Sequence, residues 1–347
     1  MKKLLVFELH HLGDAVMSLP FVQAARDWEV HVVCRPSSVP VYGQVVPREQ
    51  IHPWDPWWEL EGPPRNRSRR KLPDLIKQWR AIEVDVAVCV WADPRVHWLM
   101  RRSRARETFG FPVNELNFYA HHLPWRKKKM RLGKVLGFFS PLSHPLQRRS
   151  YQQAHLEDWW QLAEALGLGW NAATPWFDVK AHPGAAVFQQ ENEPLWLLHP
   201  GGRLPTKRWP VENFERLLGT FFRDKPVVIL QPPDSRVPFS ANPWHHVVKA
   251  DSWPELLAWV QAADRVLCND SLLSHLAAAQ GKPVWTIFGS GNPNWFAPFQ
   301  NERRVIASDV CAVRPCIDRC VHASPICLEA VTVEMVAAQL AEEMVAE

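Results

Sequence analysis

Apolar runs and polar turns alternate along this chain in a plan that plays out twice. The first run, Leu4 to Leu9, is nearly continuous. It is too short to cross a membrane and suits an inner strand of a parallel sheet. A polar turn follows, His10-His11-Leu12-Gly13-Asp14, and then a helix predicted from Ala15 to Trp28. Glu29–Cys34 reads as a second strand. Pro and Trp dominate to about Pro64, which predicts irregular loops, and the basic run Arg65 to Lys71 precedes a helix expected over Pro73–Ile82. Asp85–Val90 is another buried strand, closing at Trp91-Ala92-Asp93. Leu156–Leu166 is amphipathic and stops at Gly167. Strands alternating with helices imply parallel βαβ units and an α/β fold.

The polar stretch from Ala181 to Pro194 carries the turn signal Pro183-Gly184, and a domain boundary is expected there, giving domains 1–182 and 183–347. The second half then restarts the plan. Strands are predicted at Leu195–His199, Pro226–Gln231, Arg265–Cys268 and Pro283–Phe288, and helices at Val211–Phe222, Trp253–Ala263 and from Ser271 to Gln280. A last helix, Val331–Val345, is expected to pack back on the first domain.

Three turns carry candidate chemistry. Asp14 sits where a strand gives way to a helix, at the sheet edge where open α/β folds place ligands. There it is either a helix cap or a reactive carboxylate. Gly201-Gly202 with Thr206, Lys207 and Arg208 combines close backbone approach with cations, which suits a diphosphate. The spacing matches neither a P-loop nor a dinucleotide fingerprint, which argues against a Rossmann oxidoreductase. Asn269-Asp270-Ser271 opens a helix whose His275 lies one turn further in, an arrangement able to hold sugar hydroxyls beside a phosphate.

Composition narrows the setting. The chain has 347 residues, 47% hydrophobic and 22% charged, enough for two cored domains. The polar turn breaks the first apolar run too early for a signal peptide, so a cytoplasmic location is expected. Net charge is only +4, but basic residues crowd between Arg101 and Arg149, with Arg126, Lys127 and Lys128 at their centre and apolar residues between them. This suits an anionic membrane surface or phosphorylated lipid, against a plain solvated face. No nucleic-acid module is evident. Cys34, Cys89 and Cys268 lie in predicted strands as core residues. Cys311, Cys316, Cys320 and Cys327 crowd one loop, where structural zinc or iron, disulfides or free thiols are all open.

Taken in order, Leu12-Gly13-Asp14 with Leu19-Pro20, His199-Pro200-Gly201, Lys207-x-Trp209-Pro210, Asn269-Asp270-Ser271 with His275-Leu276-Ala277-Ala278, Gly281-Lys282-Pro283 and Phe288-Gly289 resemble the heptosyltransferase family of glycosyltransferases. The resemblance implies a GT-B fold, two Rossmann-like domains facing a cleft, and inverting, metal-independent transfer of heptose from ADP-heptose to the lipopolysaccharide inner core. It makes Asp14 the general base and Lys207 the diphosphate cation, with Gly201, Gly202, Thr206, Asp234, Asp270, Ser271 and His275 on the donor side. Asp251 and Ser252 are weaker candidates for ribose and base. Gly13, His11, Arg65, Arg126 and Lys128 would meet the lipid-linked acceptor, on a monomer lying at the inner face of the inner membrane. A related transferase using another nucleotide sugar or a protein acceptor, and a nucleotide-sugar binder without turnover, are the alternatives. The chain departs from the family at Leu272, where Gly is frequent, and at His10-His11, where small hydroxyl residues are common.

Overall fold

The computed structural model describes residues 1–60, 62–112, 141–150, 153–190, 193–231, 239, 242–316 and 320–346. The chain forms two units, Met1–Ala172 and Ala173–Glu347. Residues just after 172 join the second unit because Trp176 donates its N–H to Ala279 O at 2.7 Å and His182 donates to Ala258 O at 2.9 Å. The boundary therefore falls before the 182/183 position expected from composition.

The first unit runs β1 (Lys3–Glu8), α1 (Leu12–Met17), α2 (Leu19–Ala24), β2 (Glu29–Cys34), α3 (Val39–Tyr42), β3 (Ile51–Pro53), α4 (Pro63–Ala81), β4 (Val86–Cys89), α5 (Pro94–Arg102), β5 (Glu107–Gly110), β6 (His144–Pro145) and α6 (His155–Ala165). Its sheet has the order β3-β2-β1-β4-β5-β6, with every pair parallel. The chain works outward from β1 and then returns to add β4 on its other side. Between β1 and β4 the order reverses, and ligands of open sheets gather beyond the strand ends at such a point.

The predicted helix over Ala15–Trp28 is divided in two at Ser18, with Pro20 in the first turn of α2. The Ser18 hydroxyl donates to Ala15 O at 2.8 Å and meets Tyr42 Oη at 2.8 Å. The helix expected from Pro73 begins at Pro63 and takes in the basic run. Its buried stripe, Ser68, Leu72, Ile76 and Trp79, has helical spacing, and Trp79 meets Phe7 of β1 edge-on at 5.4 Å. Ser68 anchors the early turns: its hydroxyl donates to Asp55 O, and its carbonyl accepts the Trp54 indole N–H at 3.2 Å. Pro73 lies inside this helix, exposed.

The second unit runs β7 (Trp196–His199), α7 (Val211–Gly219), β8 (Val227–Leu230), β9 (His245–Val248), α8 (Trp253–Ala262), β10 (Arg265–Asn269), α9 (Leu272–Ala279), β11 (Val284–Phe288), α10 (Pro293–Phe296), β12 (Val305–Ala307), α11 (Ile326–Glu329) and α12 (Val333–Ala346). The sheet order, β12-β11-β10-β7-β8-β9, is again all parallel and reverses between β7 and β10. Alternate residues along Leu195 and β7 feed opposite cores: Trp196 and Leu198 one, Leu195 and Leu197 the other. The last helix belongs here. Val336 and Leu340 of α12 share a core with Trp196, Phe214 and Trp285, and the Trp209 indole donates to Val331 O at 2.7 Å.

Candidate functional site

At the reversing point of the first sheet, Asp14 lies in the opening turn of α1, 7% exposed. One carboxylate oxygen accepts the His11 backbone N–H at 2.9 Å. Burial pushes the carboxyl pKa up. The charges of His155, His10 and His11 and the His11 N–H together outweigh it, so the pKa is held below the ordinary carboxylate value.

Glu8, the last residue of β1, is 1% exposed. Its carboxylate accepts the His10 backbone N–H at 2.9 Å and the Trp91 indole N–H at 3.1 Å, and lies 3.6 Å from His10 Nδ1. The His10 ring stacks on Trp91 at 4.0 Å, and His155, at the start of α6, packs against the same indole at 4.5 Å. Burial lowers the His10 pKa, but the Glu8 carboxylate beside the ring, then Asp14 and Asp93, raise it above the ordinary imidazole value. His155 Nδ1 is 3.4 Å from Asp158, which Arg148 grips through two bonds at 2.9 and 3.0 Å. Both partners of that pair are almost fully buried, and Arg148 also donates to Val90 O at 3.2 Å. Arg148, expected on a basic face, is thus a structural clamp holding α6 to the end of β4.

At the reversing point of the second sheet, Lys207 and Asp270 meet at 2.7 Å, with Asp270 buried. Lys207 closes the short turn Pro205–Lys207 after β7, and Asp270 leaves β10. The loop Gly289-Ser290-Gly291 after β11 lies across them. Ser290 donates its N–H to Thr206 O at 3.1 Å, and its hydroxyl bonds that of Thr206 at 3.0 Å. A Cβ at Gly291 would strike the Asp270 carboxylate, and one at Gly289 the Thr206 carbonyl, so this approach needs glycine. Asn269 pins the glycine turn by donating to Pro200 O at 2.8 Å and Gly201 O at 3.0 Å, while its carbonyl accepts Trp209 N–H at 3.0 Å. Ser271 precedes α9 with its hydroxyl buried and unpartnered among the described residues. His275 is buried one turn further on.

The other expectations divide. His11 is exposed, Gly13 is half-buried in the first turn of α1, and Arg65 is exposed in the first turn of α4. Arg126, Lys128 and Asp234 lie outside the described residues. Ser252 caps α8 by accepting Glu255 N–H at 3.3 Å, a structural role. Among the described residues no three His, Cys, Asp or Glu side chains are grouped to hold a metal ion, and the cysteines are free thiols. Burial, with the neighbouring thiols, pushes Cys316 up to about 11, so it stays protonated near neutrality. Glu8, Trp91, His155 and Asp158 were not singled out from the sequence. The signal for Trp91 was its place just past a buried strand.

Two doubly wound sheets, one carrying a buried carboxylate at its reversing point and the other a lysine–aspartate pair, define a GT-B glycosyltransferase fold. The chain belongs to glycosyltransferase family 9 (heptosyltransferase), whose model matches residues 123–322. The glycosyl transferase family 9 protein from Veillonella parvula superposes with a TM-score of 0.72 at 16% identity, covering 100% of this chain and 98% of that one. The E. coli ADP-heptose lps heptosyltransferase II does so with 0.66 at 16% identity, covering 99% and 98%. E. coli heptosyltransferase WaaC, solved with ADP-2-deoxy-2-fluoro heptose, gives 0.65 at 16% identity, covering 98% and 99%. No curated protein sequence matches significantly.

Proposed function

We propose that this protein transfers heptose from ADP-heptose to a lipid-linked acceptor of the lipopolysaccharide inner core, with inversion and without a metal. The observation that carries the reading is Asp14, an ionised, nearly buried carboxylate fixed by the His11 N–H at the reversing point of the first sheet. Asp14 takes the proton of the acceptor hydroxyl. The oxygen attacks the anomeric carbon, and the bond to the diphosphate breaks with its electron pair on ADP. A carboxylate with a depressed pKa is a weak base, so placement must supply most of its effect. Lys207 neutralises the departing diphosphate. Gly201, Gly202 and Thr206 shape the turn that receives it, Asp234 meets the ribose, and Asp270, Ser271 and His275 meet the sugar. His11 and Gly13 border the acceptor hydroxyl, and Arg65, Arg126 and Lys128 receive its anionic groups at the inner face of the membrane. No helix among the described residues is long and apolar enough to cross a membrane, which is consistent with peripheral attachment. The protein acts as a monomer.

The two relatives from E. coli support the donor, since one is an ADP-heptose transferase and the other was solved with an ADP-heptose analogue. Leu272, at the head of α9, favours a second reading with another nucleotide sugar, because its side chain narrows the space that Gly leaves in many relatives. The test is to incubate the purified protein with ADP-heptose and a lipid A–inner core acceptor and to follow ADP release and the anomeric configuration of the product. An inverted heptoside made in the presence of EDTA supports the proposal. Product from a different nucleotide sugar alone overturns the named donor, and nucleotide-sugar binding without product overturns the transferase.

A further inference from the structure

Beside Asp14 the first unit holds an imidazole against a buried carboxylate. Glu8 is buried, and a buried carboxylate left without partners is costly. Its donors are the His10 N–H and the Trp91 indole, with the His10 ring 3.6 Å away. Trp91 supplies the floor on which that ring lies, at 4.0 Å and 24° from coplanar. His10 Nδ1 is buried on the Glu8 side without a hydrogen bond, whereas the side chain as a whole is 31% exposed. Nε2 is not buried in this way, so a ligand can reach it. Two elements thus converge to orient one half-open ring, β1 through Glu8 and the residue just past β4 through Trp91.

We propose that His10 is an acceptor-specificity residue that donates through Nε2 to an oxyanion, a carboxylate or phosphate, flanking the hydroxyl that Asp14 deprotonates. The inference rests on the acceptor-side role given to the first unit. The groups facing His10 are Glu8 on β1, its neighbour His11, Asp14 on α1, Trp91 and Asp93 after β4, and His155 across the indole on α6. Asp93 is held by Arg95 at 2.6 Å, which tempers its pull. The carboxylates of Glu8, Asp14 and Asp93 favour the charged ring, consistent with its raised pKa. An arginine or lysine would hold an oxyanion at any pH; a histidine holds it only while protonated. Acceptor affinity therefore falls as pH rises through the His10 pKa, with no matching change in donor affinity.

The experiment uses the full chain, without donor, and sulfate as probe because its charge is constant across the range. Imidazole nitrogens are followed by NMR from pH 5 to 9, with the His10 signal assigned by its loss in His10→Ala. Sulfate should move the His10 titration midpoint upward. In calorimetry His10→Ala should weaken sulfate about tenfold at low pH, the scale of one charge-assisted hydrogen bond. His10→Arg should keep the affinity and lose its pH dependence, a rescue that a merely space-filling role would not give. Glu8→Gln should move the fall in affinity to lower pH. Acetate is titrated in parallel: tighter acetate points to a carboxylate on the acceptor, and tighter sulfate to a phosphate. An unmoved His10 signal, or His10→Ala binding sulfate as the wild type does, overturns the proposal. Since no turnover is read, failure of heptose transfer leaves this result intact, and the two readings fall separately.

Discussion

Asp14 faces two opposed demands. As the proposed base it must be ionised to accept a proton, yet it is nearly buried, and burial favours the neutral form. Three histidines and one backbone N–H decide the balance toward the carboxylate. Asp14→Asn keeps the shape and removes the proton acceptor, so transfer should fall by about a thousandfold while nucleotide-sugar affinity measured by calorimetry stays near wild type. The same charges make stability depend on pH. His10 has a raised folded pKa, so its stabilisation is complete below the ordinary imidazole value of 6.5 and is lost as pH rises through the folded value. The stability gap between wild type and His10→Ala in urea titrations should therefore be wide at pH 5.5 and narrow steadily toward pH 9. Asp14 has a depressed folded pKa, so its contribution holds above the ordinary value of 3.8 and fades as pH falls through the folded one. A gap that does not narrow toward pH 9 would show that His10 keeps the same charge in the folded and unfolded chain.

The elements carry two further predictions. In the loop after β11, Gly291→Ala places a methyl group against the Asp270 carboxylate. The Lys207–Asp270 pair must then part or the loop must lift, and donor affinity should drop about tenfold with little change in melting temperature, as calorimetry and thermal unfolding together would show. In α4, Pro73 is exposed inside a helix of 19 residues, where proline removes a backbone hydrogen bond and crowds the preceding turn. Pro73→Ala should stabilise the first unit by about 1–2 kcal/mol in denaturant titrations, the helix gain being partly offset by a freer unfolded chain. That proline also explains why the sequence was misleading here. Read locally, Pro73 marks a helix start; in the fold, the stripe from Ser68 to Trp79 packs across it and the helix runs through. The buried strands were legible because their apolar runs are unbroken, and the turns that carry Asp14, Lys207 and Asp270 because each follows such a run. The His10–Trp91–His155 stack was not legible. It is assembled from three distant segments, and nothing local to Trp91 or His155 announces that they meet.

The two units share one strand order, outward from a central strand and back to its other side, and each keeps its candidate residues at the reversal. A ligand that binds only the folded chain stabilises it by mass action, by about 2.7 kcal/mol at a hundredfold excess over Kd. ADP-heptose at that excess should raise the melting temperature of the wild type, and Lys207→Ala should abolish most of the rise at the same concentration. The 19 Trp are spread through both units, and most serve packing, but Trp91 lies flat against an imidazole whose pKa is raised above its ordinary value. A protonated imidazole draws an electron from a photoexcited indole far better than a neutral one. Trp91 is therefore a built-in optical gauge: the difference in emission between the wild type and Trp91→Phe, followed against pH, brightens as His10 gives up its proton and dims again when an anion holds that proton in place.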